Sequence, residues 1–383
     1  MPIKLLLLGP LPPPYGGPEV MTRALLDGLK GRKEFLVRHI NTQVSRSLAE
    51  KGGKHQFRKS WRGYAQAIEM VKMLFDFRPD IVYLPLTNSP SFLGFLRDAL
   101  FLAPALLFRK KVVVRLHGGY YYYAHARGLQ RRIVQFLLGK ISLAMLQGRR
   151  LKNEFNGLVA DERIVTVPNG IDAHPFEEAR HRLVKRDAPG PKRVLFVGLM
   201  CSEKGFHDVL AAIPGVPNAD FIFAGEWPSA KDEREARAFL AQHGIENRVT
   251  FKGVVSGPAK YDMFVSSDLF VFPSYFVYEG HAVSSVEALA AGLPIVCTDH
   301  GALNESVVDG WNGYFIPRSD PAAIAARLNQ LLSDEATRST MASNSRAWHE
   351  QNFTLEKFID NWSRAILSLG LPGASDGGTG GGE

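Results

Sequence analysis

Cysteine is nearly absent. The 383 residues include two, Cys201 and Cys297, far apart in the chain. This excludes a disulfide scaffold, argues against a zinc site and fits a reducing compartment. No stretch is a convincing membrane span either: the most apolar one, residues 92–108, is broken by Arg97, Asp98 and Pro104. The opening MPIKLLLLGPLPPP lacks the longer apolar region and small-residue cleavage site of a secretory signal. The expectation is therefore a cytoplasmic protein. Also missing are an Asp-x-Asp metal-nucleotide chelator, a P-loop, a G-x-S-x-G elbow and the G-x-G-x-x-G dinucleotide fingerprint. Those absences disfavour a nicotinamide or flavin cofactor and leave a metal-free, anion-binding cleft as the expectation.

Charge is unevenly spread. Residues 1–170 carry 27 Lys/Arg against 11 Asp/Glu, whereas residues 171–383 carry 19 against 27. A basic half and an acidic half meet different partners.

The length suggests two domains. In the first half, short apolar runs at 3–9, 35–41, 80–86, 111–117, 143–148 and 163–170 alternate with amphipathic segments at 18–30, 61–77, 91–108 and 126–138. A charged, proline-containing stretch follows. A second series then begins, with strands expected at 193–198, 221–225, 249–253, 269–274, 294–298 and 313–316. Near-continuous apolar strands alternating with helices predict parallel sheets covered on both faces. The expected fold is α/β, with two Rossmann-like domains facing across a cleft. The predicted divisions are 1–172, a linker at 173–192, a second domain at 193–350, a helix at 351–370 that crosses back to the first, and a glycine-rich, disordered tail at 371–383. Ligands of such folds lie at the carboxyl ends of the strands.

Four stretches could carry chemistry there. LLLLGPLPPPYGGPEV runs from strand to helix through Gly16-Gly17, where the backbone can approach an anion; a plain βα turn is the alternative. In VGLMCSEKGFHDVL, Lys204 stands near a helix start, where a cation gains nothing from the helix dipole. Its placement makes sense if an anion lies between, and otherwise it is a solvated lysine. Cys201 in the same loop reads as a passive thiol. RLHGGYYYYAHARG puts His117 at a strand end before two glycines, followed by a tyrosine run that could stack on sugars, sit at a membrane interface or simply pack. YEGHAVSSVE carries Glu279 in a loop and Glu287 on the helix beyond. Eight residues on one helix would span about 12 Å, whereas hydrolytic carboxylate pairs sit about 5–9.5 Å apart. Two separate hydrogen-bond acceptors on one extended ligand fit better, with surface charges as the alternative.

In combination these residues resemble the retaining glycosyltransferases of the GT-B fold, family 4. The resemblance runs over nearly the whole chain: the early double glycine, the strand-end histidine, VPNGID, EKG, the Glu-x7-Glu block and SVEALAAGLPIVCTDHGALNESVVDGWNGYFI. It implies transfer of a sugar from a UDP- or GDP-linked donor to a hydroxyl of a glycan or lipid-linked acceptor, without metal or further cofactor and by a front-face mechanism. Carried over, Glu279 reads donor-sugar hydroxyls and Glu287 the ribose, while amides near Ala282 and Val283 receive the diphosphate. Lys204 neutralises the leaving group, His117 lies near the reacting centre, and Gly16-Gly17 closes over the phosphates. Gly198, Val254, Gly280 and His281 complete the donor set. Tyr120, Tyr121 and Arg127 are expected at the acceptor. Two departures stand out: Leu199 occupies a place where many relatives have arginine, and His281-Ala282 replaces the commoner Phe-Gly, which could alter the sugar pocket. The basic N-terminal half suggests an anionic membrane surface as partner, with peripheral association on the cytoplasmic face. No nucleic-acid module is recognisable. An isomerase of the same fold acting on nucleotide sugars and a non-catalytic sugar-nucleotide or membrane-surface binder are the alternatives.

Overall fold

The computed structural model describes residues 1–43, 56–87, 92–119, 125–155, 157–183 and 190–370. Tyr120, Tyr121, residues 51–55 and the tail at 371–383 lie outside the described residues.

The chain forms two six-stranded parallel sheets. The first contains β1 (Ile3–Gly9), β2 (Phe35–Asn41), β3 (Ile81–Pro85), β4 (Lys111–Arg115), β5 (Leu143–Leu146) and β6 (Ile164–Thr166), in the order β2-β1-β3-β4-β5-β6. The second contains β7 (Lys192–Val197), β8 (Ala219–Ala224), β9 (Val249–Phe251), β10 (Leu269–Phe272), β11 (Ile295–Thr298) and β12 (Gly313–Ile316), ordered β12-β11-β10-β7-β8-β9. The continuous apolar runs account for the parallel pairing: β5, β10 and β11 are buried along their whole length, as strands covered on both faces must be. This is the expected α/β, two-Rossmann architecture.

Each sheet reverses its strand order once, between β1 and β3 in the first and between β7 and β10 in the second. Loops leaving neighbouring strands at such a point diverge to opposite faces and open a crevice. The loop after β7 and the loop after β10 therefore meet, although Lys204 and Glu279 are 75 residues apart.

The segment expected as a linker is structured in part. Its helix His174–Arg182 packs on the helices Pro258–Val265 and Val283–Ala291. Phe176 is buried in the core of the second sheet, and Arg180 Nη2 donates to Ala291 O at 3.1 Å. Phe176 and Ala179 form the buried face of this helix.

The last helix, Leu355–Leu367, joins the other domain. Phe358, Ile359, Trp362 and Ile366 are buried with Leu5, Leu7 and Met21 under the first sheet. Trp362 meets Tyr83 and Phe35 edge-on at 5.5 and 5.9 Å between centroids. Thr354 caps the helix and forms a bridge to Ile171. Because a fully buried Trp→Ala change costs about 3–5 kcal/mol, Trp362→Ala is expected to lower the urea midpoint of the N-terminal domain. An unchanged midpoint would mean that the helix is not integral to that domain.

Candidate active site

The crevice between β7 and β10 contains the first pair of functional side chains. Lys204 ends a short turn, Ser202–Lys204, two residues ahead of the helix Phe206–Ala212. Its ammonium donates to Glu279 Oε2 at 2.8 Å. The side chains are 18% and 6% exposed. The Ser274 hydroxyl donates to the same oxygen, and the lysine also lies 4.6 Å from the Phe276 ring centroid. No described group hydrogen-bonds Glu279 Oε1. The anion expected beside Lys204 is thus, in this structure, the glutamate itself. A buried pair of this kind is held by its hydrogen bonds, because desolvation offsets much of the Coulomb attraction.

A second pair lies one helix further on. Glu287 sits in the helix Val283–Ala291, and its Oε1 accepts from Lys260 Nζ at 2.5 Å. Burial alone would lower the Lys260 pKa, but the neighbouring carboxylate more than offsets this and raises it above the ordinary lysine range. Glu279 and Glu287 therefore have separate lysines and are not a shared acid/base pair. Lys260 belongs to no sequence motif, and the packing of the helix Pro258–Val265 alone delivers it.

Between the two glutamates the helix Val283–Ala291 begins with Ala282 at its N-cap and no side-chain cap. The helix Gly17–Leu29 begins opposite, with Gly16 as an equally bare N-cap. The two starts are close: a Cβ on Gly17 would stand 3.6 Å from Val283 Cγ2. Two bare helix starts converging on one crevice favour an anion there. Gly198 directly follows β7 and donates its N–H to Ala224 O at 3.0 Å. Val254, beyond β9, is 52% exposed. Leu199 supplies no cation, as expected.

His117 stands behind this crevice at the end of β4, and its orientation is set across the domain boundary. Gln147 Nε2 donates to His117 Nδ1 at 3.0 Å and to Asn169 Oδ1 at 3.2 Å, while Gln147 Oε1 accepts from the backbone N–H of His281 at 3.1 Å. That last bond fixes which end of the amide is oxygen. His117 Nδ1 must then be an acceptor, with its ring proton on Nε2. Gly280 permits the approach, since a Cβ there would fall 2.3 Å from Gln147 Oε1 and 2.4 Å from His117 O. Behind Asn169, Arg115 Nη2 donates to its Oδ1 and to Val167 O, both at 3.0 Å. The Arg115 guanidinium lies 5.1 Å from the Phe358 ring centroid.

His281 requires a correction. Expected in the sugar pocket, its side chain instead occupies the domain seam, 2% exposed. Asn169 N donates to its Nδ1 at 3.1 Å, and Asn169 Nδ2 donates to its carbonyl at 2.6 Å. With Nδ1 accepting, Nε2–H donates to Ser306 Oγ at 2.9 Å. Ser306 then donates to Ser285 Oγ at 2.8 Å, and Ser285 to Ala282 O at 2.7 Å. No polar atom of the imidazole is left for a ligand.

Arg127 is exposed and is the N-cap of the helix Gly128–Leu138. With His125 and Arg131 it lines a 440 Å³ cavity. Burial pushes the Cys201 thiol up to about 11, in keeping with a passive thiol. Among the described residues, no group of three or more His, Cys, Asp or Glu could hold a metal ion.

A model described as Glycosyltransferase Family 4 matches residues 15–174, and one described as Glycosyl transferases group 1 matches residues 178–348. The chain belongs to glycosyltransferase family 4. Among curated relatives, glycogen synthase of Mycobacterium tuberculosis is 31% identical over 187 residues, covering 48% of this chain and 43% of the relative. The O-antigen chain mannosyltransferase C of Escherichia coli is 28% identical over 210 residues, covering 54% and 55%. The match thus spans about half the length of these relatives. Among solved structures, Anabaena Alr3699/HepE in complex with UDP superposes with a TM-score of 0.72 at 20% identity, over 96% of this chain and all of that one. Sucrose-phosphate synthase of Thermosynechococcus elongatus gives 0.75 at 16%, over 96% and 99%. These likenesses show the GT-B fold.

In this family 4 chain, the seam has a pH signature. Burial, with the Arg115 charge second, pushes the His281 pKa down from 6.5 to about 3. A histidine that is neutral when folded binds its proton only on unfolding, so stability is lost as pH falls from about 6.5 towards 3. Burial pushes His349 down to about 4, which adds to the effect. Asp98, pushed up to about 6 by burial, takes up a proton in the folded state and offsets part of it. The informative quantity is therefore a difference between variants. His281→Gln is expected to flatten the pH dependence of the urea midpoint by about one proton between pH 6 and 4, or about 1.4 kcal/mol per pH unit. An identical slope would show that His281 is not held neutral in the seam.

Proposed function

We propose that the protein transfers a sugar, with retention, from a UDP- or GDP-linked donor to a hydroxyl of a glycan or lipid-linked acceptor, with no metal and no cofactor beyond the donor. The observation that carries this reading is the Lys204–Glu279 pair, set at the strand-order reversal of the second sheet and followed at once by a bare helix N-terminus. Lys204 and the amides of Val283 and Ser284 supply positive charge for a diphosphate. Glu279 Oε1 accepts from sugar hydroxyls, and Glu287, steadied by Lys260, accepts from ribose hydroxyls. The Gly16-Gly17 loop covers the phosphates.

In the reaction the acceptor oxygen bonds to the anomeric carbon on the face from which the diphosphate departs. The bond between that carbon and the phosphate oxygen breaks, and the acceptor proton passes to the departing oxygen. The protein contributes positioning and charge stabilisation. When the diphosphate arrives, it competes with Glu279 for Lys204, so donor binding loosens one buried ion pair as it forms another. His117 presents Nε2–H towards the reacting centre.

Calorimetry with UDP, GDP and their sugar conjugates tests the reading. Lys204→Ala removes a charged hydrogen bond worth about 1.5–3 kcal/mol and is expected to weaken nucleoside diphosphate binding by roughly 10–100-fold. Glu279→Gln is expected to leave nucleoside diphosphate binding within a few-fold and abolish transfer. If no nucleoside diphosphate binds, the site assignment fails. If a nucleotide sugar incubated without acceptor is converted to an epimer, the protein is an isomerase.

A further inference from the structure

Three helices cover one face of the first sheet: Gln56–Asp76, Phe92–Leu107 and Gly128–Leu138. Phe92–Leu107 is the middle one and packs against both others. Its inner side fills the core, yet its outer side is apolar as well. Leu96, Leu100 and Leu107 are exposed, Leu107 at 80%, and their spacing of i, i+4, i+11 places them on one line along the helix. The neighbouring helix repeats the pattern with Leu129, Ile133 and Phe136 at i, i+4, i+7, Leu129 at 72% and Phe136 at 62% exposed. An outer stripe of leucines on two adjacent helices is not what a solvated surface selects.

The charge around the stripes is of one sign. From residue 99 to 153 the chain has eleven Lys or Arg and no Asp or Glu; of these, Arg115 is buried in the seam and Arg150 and Lys152 pair with Asp299 and Asp161, away from the stripes. Arg132 and Lys140 are exposed beside the second stripe, with the Lys140 ammonium 3.9 Å from the Phe136 ring centroid. Asp98 on the middle helix is buried, and Glu69 and Asp76, exposed on the flanking helix, mark the edge of the face. A second copy of the chain is a poor occupant, because a two-fold pairing would set these cations against their own images.

We infer that the outer face of Phe92–Leu107 and Gly128–Leu138 docks on an anionic lipid bilayer, the leucine and phenylalanine side chains entering the acyl boundary and the flanking cations meeting lipid phosphates. Both helices start at the carboxyl edge of the first sheet, so the docked face adjoins the cleft opening. A lipid-linked hydroxyl reaches the cleft from that side without leaving the membrane. The docking face does not depend on the transferase reading and is measurable without any substrate.

The test is flotation of the full chain with vesicles of phosphatidylcholine alone and of phosphatidylcholine mixed with phosphatidylglycerol. The expected result is flotation on the mixed vesicles at low salt, reduced but not abolished at high salt. Leu100→Gln with Phe136→Gln is expected to lower the partition coefficient at least about tenfold on mixed vesicles. Arg132→Gln with Lys140→Gln is expected to lower it about tenfold and to remove the dependence on phosphatidylglycerol. Melting curves and nucleoside diphosphate calorimetry on each variant report whether the fold and donor site persist. The inference is overturned if the wild type stays with the unbound fraction while still binding nucleotide, or if both variants float as well as it does. It is equally overturned if sedimentation without lipid shows a dimer that Leu100→Gln with Phe136→Gln dissociates.

Discussion

Asn169 and His281 clasp the two domains together, and the site depends on that clasp. Asn169 lies at the end of the first sheet's chain segment and His281 just ahead of the helix Val283–Ala291. The two bonds between them bring Gln147 within reach of both, and Gln147 in turn orients His117. Each polar atom has one role consistent with its chemistry: a backbone N–H can only donate, so each histidine's tautomer follows from its neighbour. Arg115 supports Asn169 from behind and rests on Phe358 of the returning C-terminal helix. Residues from both domains thus converge on one hydrogen-bonded cluster.

Charge is handled in two ways. At the crevice, Lys204 and Lys260 are buried against one glutamate each, and each pair fixes the position of its carboxylate in this structure. At the domain rim the pairs are exposed, as in Arg150 with Asp299 at 2.5 Å, and such surface pairs contribute about 0–1 kcal/mol. The rim pairs therefore tune how the domains meet, whereas the buried pairs position groups that could read a ligand. Acidic residues dominate the C-terminal half and basic ones the half with the exposed apolar helices.

The strands and most helices are legible from apolar periodicity, because a parallel sheet covered on both faces demands near-continuous apolar runs. The returning helix was legible too, but its reason was not: only the structure shows Trp362 filling the space beside Tyr83 and Phe35. His281 misleads because its neighbours in sequence face the crevice, while hydrogen bonds with Asn169 and Ser306 hold its imidazole in the seam.

By itself, the sequence determined the α/β class, which follows from local apolar periodicity, and the family, which follows from the resemblance of its motifs rather than from any periodicity. Only the tertiary structure decided which charges meet. Lys204 finds Glu279 across 75 residues and Lys260 finds Glu287 across 27 because strand order places those loops side by side. No local pattern records strand order. The partners of a buried lysine, the tautomer of a histidine and the exposed leucines of an apolar helix are all settled by what packs against them.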